Sequence, residues 1–183
     1  MKHRWMTVVA GLLCAVLLLA DSAAANAAGG DNPSVSAAIN KAGRQRMLVQ
    51  RLAKAWVMIG LGVQPERGRK ILEESLSRFE GQLAELNELA TDADVRRSLE
   101  QLGREWRDYR AALRAAPGRQ RAQAVYDHSE LTQEAAHRLT LAYEMASRAP
   151  PADRLVNIAG RQRMLSQRLA KFWLFQAWEV NTV

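Results

Sequence analysis

The chain has 183 residues, with 26 Lys and Arg against 19 Asp and Glu, a formal net charge of +7 and a single cysteine. A length of about 100–200 residues is that of one domain, and one cysteine excludes an intrachain disulfide and a cysteine metal site. Acids are interspersed with bases and no basic tract carries interleaved aromatics, so nucleic acid is not an expected partner, whereas small anions and acidic membrane surfaces are.

The N-terminus opens with Lys2, His3 and Arg4, followed by an apolar run from Trp5 to Ala20 and a small-residue stretch from Ser22 to Ala28. This order describes a secretory signal peptide. Two A-x-A sites offer cleavage after Ala25 or after Ala27, so residues 1–27 are assigned to the signal and 28–183 to the mature domain. The apolar run is short for a membrane span, which takes roughly 20 residues. The mature protein is therefore expected in the periplasm or secreted, with an uncleaved inner-membrane anchor as the alternative. Cys14 lies in the apolar run, and Leu12 and Leu13 before it do not fit a lipoprotein site. Removing Lys2, Arg4 and Asp21 lowers Lys and Arg from 26 to 24 and Asp and Glu from 19 to 18, leaving +6.

Five helices follow in order. Asn32-Pro33 starts the first, with Asn as cap and Pro in the first turn, and it runs to about Leu61, where Gly60, Gly62 and Pro65 stop it. The second runs from about Pro65 to Ala90, with Ile71, Leu72, Leu76, Phe79, Leu83, Leu86 and Leu89 on one stripe. Thr91-Asp92 caps a third, whose stripe is Val95, Leu99, Leu102, Trp106, Tyr109 and Leu113. After a Pro117-Gly118 turn, a fourth runs from about Arg119 to Arg148, with Val125, Leu131, Ala135, Leu139, Ala142 and Met145 expected inward. Ala149-Pro150-Pro151 ends it, and a fifth, with Asp153 near its start, continues to about Trp178. No segment has a period of two. The fold class is all-α: an up-down bundle of about five helices, with short connections that make neighbours antiparallel.

The most informative feature is an internal repeat. Residues 39–56 and 156–173 match at 14 of 18 positions with a constant offset of 117. The six residues after each block share nothing, so the block itself has been held. On a helical wheel of the first copy, Leu48, Val49, Leu52, Trp56 and Ile59 form one side; Gly43, Arg46, Met47, Gln50 and Lys54 form another, with Arg44 and Arg51 beside them. Glycine within a helix costs about 1 kcal/mol relative to alanine, so a repeated Gly43 and Gly160 point to close approach by a helix or a ligand. Arginine beside it offers planar, bidentate donors for an oxyanion. The plainer reading of helical arginines is a solvated face. Such a face tolerates exchange among Lys, Arg, Gln and Glu, whereas Arg-Gln-Arg-Met and Gln-Arg-Leu-Ala-Lys recur unchanged. Part of the role is open to helix pairing rather than ligand binding.

The block Asn-x-Ala-Gly-Arg-Gln-Arg-Met-Leu-x-Gln-Arg-Leu-Ala-Lys resembles the signature of the PilJ-type domain, the N-terminal sensor domain of type IV pilus methyl-accepting chemotaxis transducers. It is also similar to the P-box of nitrate/nitrite sensor kinases, in which one anion lies between two copies of the helix at a dimer interface. Helices two to four agree with that family only in pattern. The resemblance implies that Gly43 and Gly160 mark where backbone nears an anion, that Arg46 and Arg163 grip it, and that Arg51 and Arg168 are the second arginines. Met47 and Met164 are the implied apolar neighbours, and Gln50 and Gln167 complete the binding set. Arg44-Gln45 and Arg161-Gln162 follow the pilus branch rather than the less charged nitrate sensors. About ten residues follow the second copy, so an exit helix or output region is not expected on this chain.

Other constellations carry less. Glu134-x-x-His137 has di-iron spacing without its second copy; His128 has Val125 three residues before it. Asp127-His128-Ser129 are helix neighbours that point apart, with no nucleophile elbow. Trp106, Trp173 and Trp178 are expected as core or interface anchors. Neither a metal nor a cofactor is expected, and an enzyme is the weakest class. Two readings remain: a module binding a small, nitrate- or nitrite-like anion, or an interaction protein whose motif helices dock a receptor or a pilus-associated partner. The up-down order makes the two motif helices parallel. They pair either within one chain, with Gly43 facing Gly160 and Arg46 and Arg163 converging on one anion, or each with its copy across a homodimer.

N-terminal sequencing of protein from the native host is expected to give Asn26 or Ala28 as the first residue; Met1 in a membrane fraction would mean an anchor.

Overall fold

A computed structural model describes residues 33–146 and 151–180, with side chains placed for 36–146 and 157–180. The expected signal segment lies outside the described residues. Five helices are present: α1 (Pro33–Gly60), α2 (Pro65–Glu88), α3 (Ala93–Leu113), α4 (Arg119–Ala146) and α5 (Pro151–Gln176). All described structure is helical or turn, as the patterning predicts.

Local chemistry sets the breaks. Gly62 takes a left-handed φ of 68°, Val63 N–H donates to the Met58 carbonyl at 2.9 Å, and Gly62 N–H to that of Ile59 at 3.1 Å. This closes α1 as a Schellman turn. Gln64 follows, also left-handed at 48°, and Pro65 opens α2 where its missing N–H costs nothing. Asp92 caps α3, its Oδ1 accepting from Asp94 N–H at 2.8 Å and Val95 N–H at 3.1 Å.

α1 is the central element, packing on α2, α4 and α5, while α3 packs on α4. The pairing α1–α2 is antiparallel, with Lys41 bridged to Glu85 and Arg51 to Glu74, and so is α1–α4, with Arg46 against His137 and Gln50 against Gln133. α5 is parallel to α1: Asn157, in the second turn of α5, meets Arg46 at the middle of α1, and Trp178 stacks edge-on with Trp56 past the end of α5, centroids 5.9 Å apart. Of the two arrangements left open, this fold has the motif helices side by side in one chain.

Leu48, Leu52 and Trp56 are fully buried, as are Phe79, Leu102 and Tyr109 from α2 and α3. Phe79 and Trp106 stack with centroids 4.0 Å apart, and Tyr109 Oη donates to the Val49 carbonyl at 2.9 Å. The α3 stripe is buried as expected throughout. The α4 expectation needs correction: Leu131 and Met145 face outward, at 52% and 80% exposure. The buried line of α4 instead runs through Val125, Ser129, Thr132, Ala136, Leu139 and Tyr143. Its small hydroxyl residues satisfy themselves on the preceding turn, Thr132 Oγ1 donating to the His128 carbonyl at 2.7 Å and Thr140 Oγ1 to that of Ala136 at 2.9 Å. Leu89 falls just past α2 and is exposed as well.

Two glycines give opposite expectations. A Cβ on Gly60 would lie 2.3 Å from the Trp178 ring, so Gly60→Ala should destabilise by about 1–3 kcal/mol through overpacking. A Cβ on Gly81 meets nothing within 4 Å, so Gly81→Ala should stabilise by about 0.5–1 kcal/mol through helix propensity. Urea unfolding of both variants checks the pair of signs.

Candidate functional site

A helix enclosed on three sides buries its polar face along with its apolar one. Gln45, Arg46 and Gln50 are fully or almost fully buried in α1, and each must find partners inside. Gln45 Nε2 donates to the Phe79 carbonyl at 3.2 Å. Gln50 Nε2 points to Glu130 and Gln133 at 3.4 and 3.5 Å.

Arg46 is the buried charge. Its Nε faces the Gly43 carbonyl at 3.4 Å, Nη1 donates to His137 Nδ1 at 3.3 Å, and Nη2 donates to Asn157 Oδ1. Asn157 in turn donates from Nδ2 to Glu144 Oε1 at 2.5 Å. An amide from the second motif copy thus links the arginine of the first copy to a carboxylate on α4. Burial lowers the Arg46 pKa, Glu144 opposes that, and Arg161 adds to it. His137 is lowered by burial and then by Arg46, with Arg161 acting the same way and Glu134 and Glu144 against it. His137 is therefore a neutral acceptor for a guanidinium.

The repeat brings its arginines together crosswise. Arg44 is lowered by burial, then by Arg163 and by Arg78 of α2. Since Arg44 corresponds to Arg161, and Arg46 to Arg163, the couples Arg44/Arg163 and Arg46/Arg161 exchange under the repeat. Each arginine of the first copy thus feels one of the second, in the crossed order that the offset of 117 exchanges. Their surroundings differ: Arg46 is enclosed, while Arg161 and Arg163 are exposed and Arg44 half-buried. Among the described residues, Arg44, Arg78, Arg161 and Arg163 form no ion pair with a carboxylate.

Two expectations about this seam are corrected. Gly43 and Gly160 do not meet, for a Cβ on Gly160 has nothing within 4 Å and one on Gly43 touches only Arg46 Nη2 at 3.3 Å. Gly43 leaves room for its own arginine to fold back, rather than for a second helix. Arg46 is turned inward rather than out toward a shared ligand, at 1% exposure and held by Asn157, His137 and the Gly43 carbonyl.

The remaining motif residues divide between the copies. Met47 is half-buried and Met164 buried. Arg51 turns to Glu74 at 3.5 Å, whereas its counterpart Arg168 turns to Glu130 at 2.5 Å, beside Lys171 on the same carboxylate. Gln50 and Gln167 each keep a buried Oε1 without a donor, so at their level any further ligand would meet acceptors. Glu130, Glu144 and His137 were missed from the sequence as functional partners. The only signal was the Glu134-x-x-His137 spacing, which carries His137 for a different reason.

Lys171 is fully buried, donating to Ser129 Oγ at 3.0 Å and Glu130 Oε1 at 2.5 Å, over the faces of Tyr126 and Phe172. Burial brings its pKa down to about 8 against the pull of Glu130. Burial also works to raise Glu130, but Lys171 and Arg168 together outweigh it and hold the carboxyl low. A serine beside a lysine of this pKa has the ingredients of a nucleophile. Here Ser129 and Lys171 are both sealed in the core, so the pair is structural.

A family model described as Type IV pili methyl-accepting chemotaxis transducer N-term, PilJ, matches residues 31–132. The match takes in the first motif copy and ends within α4, before the second. No curated protein and no solved structure is recognisably similar to the chain.

The buried cations set a pH profile. Lys54 and Lys171 both titrate near 8 when folded, Lys54 through burial and then Arg51 and Arg67, against about 10.4 unfolded. Between those values the unfolded chain binds more protons, so stability should rise with pH. Tyr109 and Tyr143 are raised by burial, Tyr143 to about 12, so above about 10 the unfolded tyrosines ionise first and stability falls. The melting temperature should therefore peak near pH 9–10, and Lys171→Met should flatten the rise; differential scanning fluorimetry across pH 7–11 reads both.

Proposed function

The chain belongs to the PilJ family, the N-terminal domain of type IV pili methyl-accepting chemotaxis transducers, and from that membership we propose that it is a sensory module whose two motif helices share one small-anion site. The family is sensory rather than catalytic, and export to the periplasm fits such a role. The observation that carries the reading is the set of four guanidinium groups around the α1–α5 seam, Arg44, Arg78, Arg161 and Arg163, none with a carboxylate partner among the described residues. Burial first, and then Arg163 and Arg78, lower the Arg44 pKa, so a bound oxyanion would offset the repulsion among these guanidiniums while accepting bidentate hydrogen bonds.

In this reading the motif arginines have unequal parts. Arg44 and Arg163, from opposite copies, contact the anion. Arg46 is a positioning residue: it locks α5 to α1 through Asn157 and holds the seam in register. Gly43 admits the fold-back of Arg46. Arg51 and Arg168 anchor their helices to Glu74 and Glu130. A nitrate- or nitrite-like anion, or a carboxylate, has the planar shape that a guanidinium pair accepts. Anion binding that draws Arg44 and Arg163 together would tighten α5 on α1, a change in one helix that a receptor or pilus-associated partner can read.

The test is a thermal-shift screen of the purified protein against nitrate, nitrite and small carboxylates, with chloride at equal ionic strength as control. A ligand at 100-fold its dissociation constant should stabilise the fold by about 2.7 kcal/mol. Arg163→Ala should remove that shift while leaving the helical content intact, since Arg163 is exposed. Arg46→Ala should instead lower stability by about 1–3 kcal/mol with or without anion, through the packing it removes and the buried polar partners, His137 and Asn157, that it leaves unsatisfied. If no oxyanion exceeds the chloride control, the docking reading replaces this one.

A further inference from the structure

α5 carries an outward seam that no described element covers. Ile158, Leu165, Leu169 and Trp173 are 56%, 40%, 70% and 75% exposed. At about 100° per residue they fall on one side of the helix, together with Gln162 and Gln176, which are exposed too. Scattered surface hydrophobics are ordinary, but these form one line over five turns. The repeat shows what such a line does when it is covered: the corresponding Leu48, Leu52 and Trp56 of α1 are 0% exposed, in the centre of the bundle. The second copy keeps a core-forming face and lacks a neighbour for it.

We propose that a second copy of this chain covers the seam, through an antiparallel contact between the two α5 helices about a two-fold axis at Leu169. A two-fold contact needs a self-complementary surface, and from Gln162 to Gln176 this seam is symmetric in spacing, with a glutamine at each end. Gln162, Leu165, Leu169, Trp173 and Gln176 stand at −7, −4, 0, +4 and +7 from Leu169. Antiparallel pairing sets Leu169 on its own copy, Leu165 on the partner's Trp173, and Gln162 on the partner's Gln176. The two carboxamides each carry donor and acceptor and satisfy one another at the ends of the seam.

Charge selects the same orientation. Arg168 and Lys171 are turned inward to Glu130, which leaves Arg161 as the free base on the flank of the seam. Parallel helices would set Arg161 against its own copy. Antiparallel helices separate the two by about 24 Å, at about 1.5 Å per residue, beyond a screening length of about 8 Å. Each Arg161 then lies at the C-terminal turn of the partner helix, where the helix dipole is negative; Glu179 beyond it is already paired with Arg119 of its own chain. The contact leaves Arg44 and Arg163, the two arginines assigned to the anion, in place and shares only Arg161 with the guanidinium set, so Arg163→Ala and Leu169→Glu test the two readings separately.

Sedimentation velocity of the purified protein over a concentration series should show a monomer–dimer equilibrium. Leu169→Glu enters the interface twice and should weaken it roughly 100-fold, with circular dichroism unchanged because Leu169 is exposed. In a Cys14→Ser background, Leu169→Cys should give disulfide-linked dimers under mild oxidation, and Ile158→Cys should not, since those positions lie about 33 Å apart across the axis. A monomer at every concentration, a dimer indifferent to Leu169→Glu, or crosslinking at 158 as readily as at 169 would overturn the proposal. The first outcome would assign the seam to another occupant, a different helical protein or the apolar N-terminal segment.

Discussion

A guanidinium in the middle of a helical bundle is expensive to bury, and its neighbours have to be arranged around it. Arg46 is 1% exposed, and an unpaired charge there would cost several kcal/mol. Three elements share the task. α1 supplies the Gly43 carbonyl one turn back, α4 supplies His137 as a neutral acceptor, and α5 supplies Asn157, which passes the charge on to Glu144. α5 belongs in the bundle because it completes this shell: without Asn157 the arginine would face α4 with one of its three partners missing. The register of the two motif helices follows from the same contact. Asn157 fixes the N-terminal end, and Trp178, wedged against Trp56 and Gly60, fixes the other.

One sequence block therefore occupies two environments. In α1 it is enclosed, and its leucines and tryptophan are core; in α5 it lies on the outside of the bundle, and the same residues face solvent. The motif arginines divide likewise: Arg46 is enclosed, Arg51 and Arg168 are paired with Glu74 and Glu130, and Arg44, Arg161 and Arg163 have no carboxylate partner among the described residues. A repeat held through such different surroundings is better explained by the face the two copies share than by the packing needs of either alone. The face the two helices turn toward each other lies where Arg44 is influenced by Arg163 and Arg46 by Arg161.

The helices were legible because their signals are local: Pro33 and Pro65 at helix starts, Asp92 as a cap, Gly62 as a left-handed stop, and a clean apolar stripe in α3. The all-α class and the parallel motif helices followed. What stayed hidden depends on partners far away in sequence. Leu131 and Met145 read as core because they are large and apolar, yet α4 buries a narrower line of Ser, Thr and Ala where its neighbours come close. Arg46 read as a ligand-gripping residue because its motif says so, yet His137, 91 positions away, and Asn157, 111 positions away, claim it. The repeated glycine read as a point of helix contact; its space is taken by the arginine three residues later.

The account rests on α1 and α5 running parallel within a single chain, and inter-label distances measure that directly. In a Cys14→Ser background, spin labels are placed at Val63 with Gln176, or at Val63 with Ile158, and each labelled protein is diluted into unlabelled chain. Parallel helices predict that the Val63–Gln176 distance is the shorter by roughly 20–25 Å, since the α5 sites lie about 27 Å apart along the helix and both distances include about 10 Å between helix axes, and that dilution leaves it unchanged. The reverse order, or a short distance that disappears on dilution, would contradict the account.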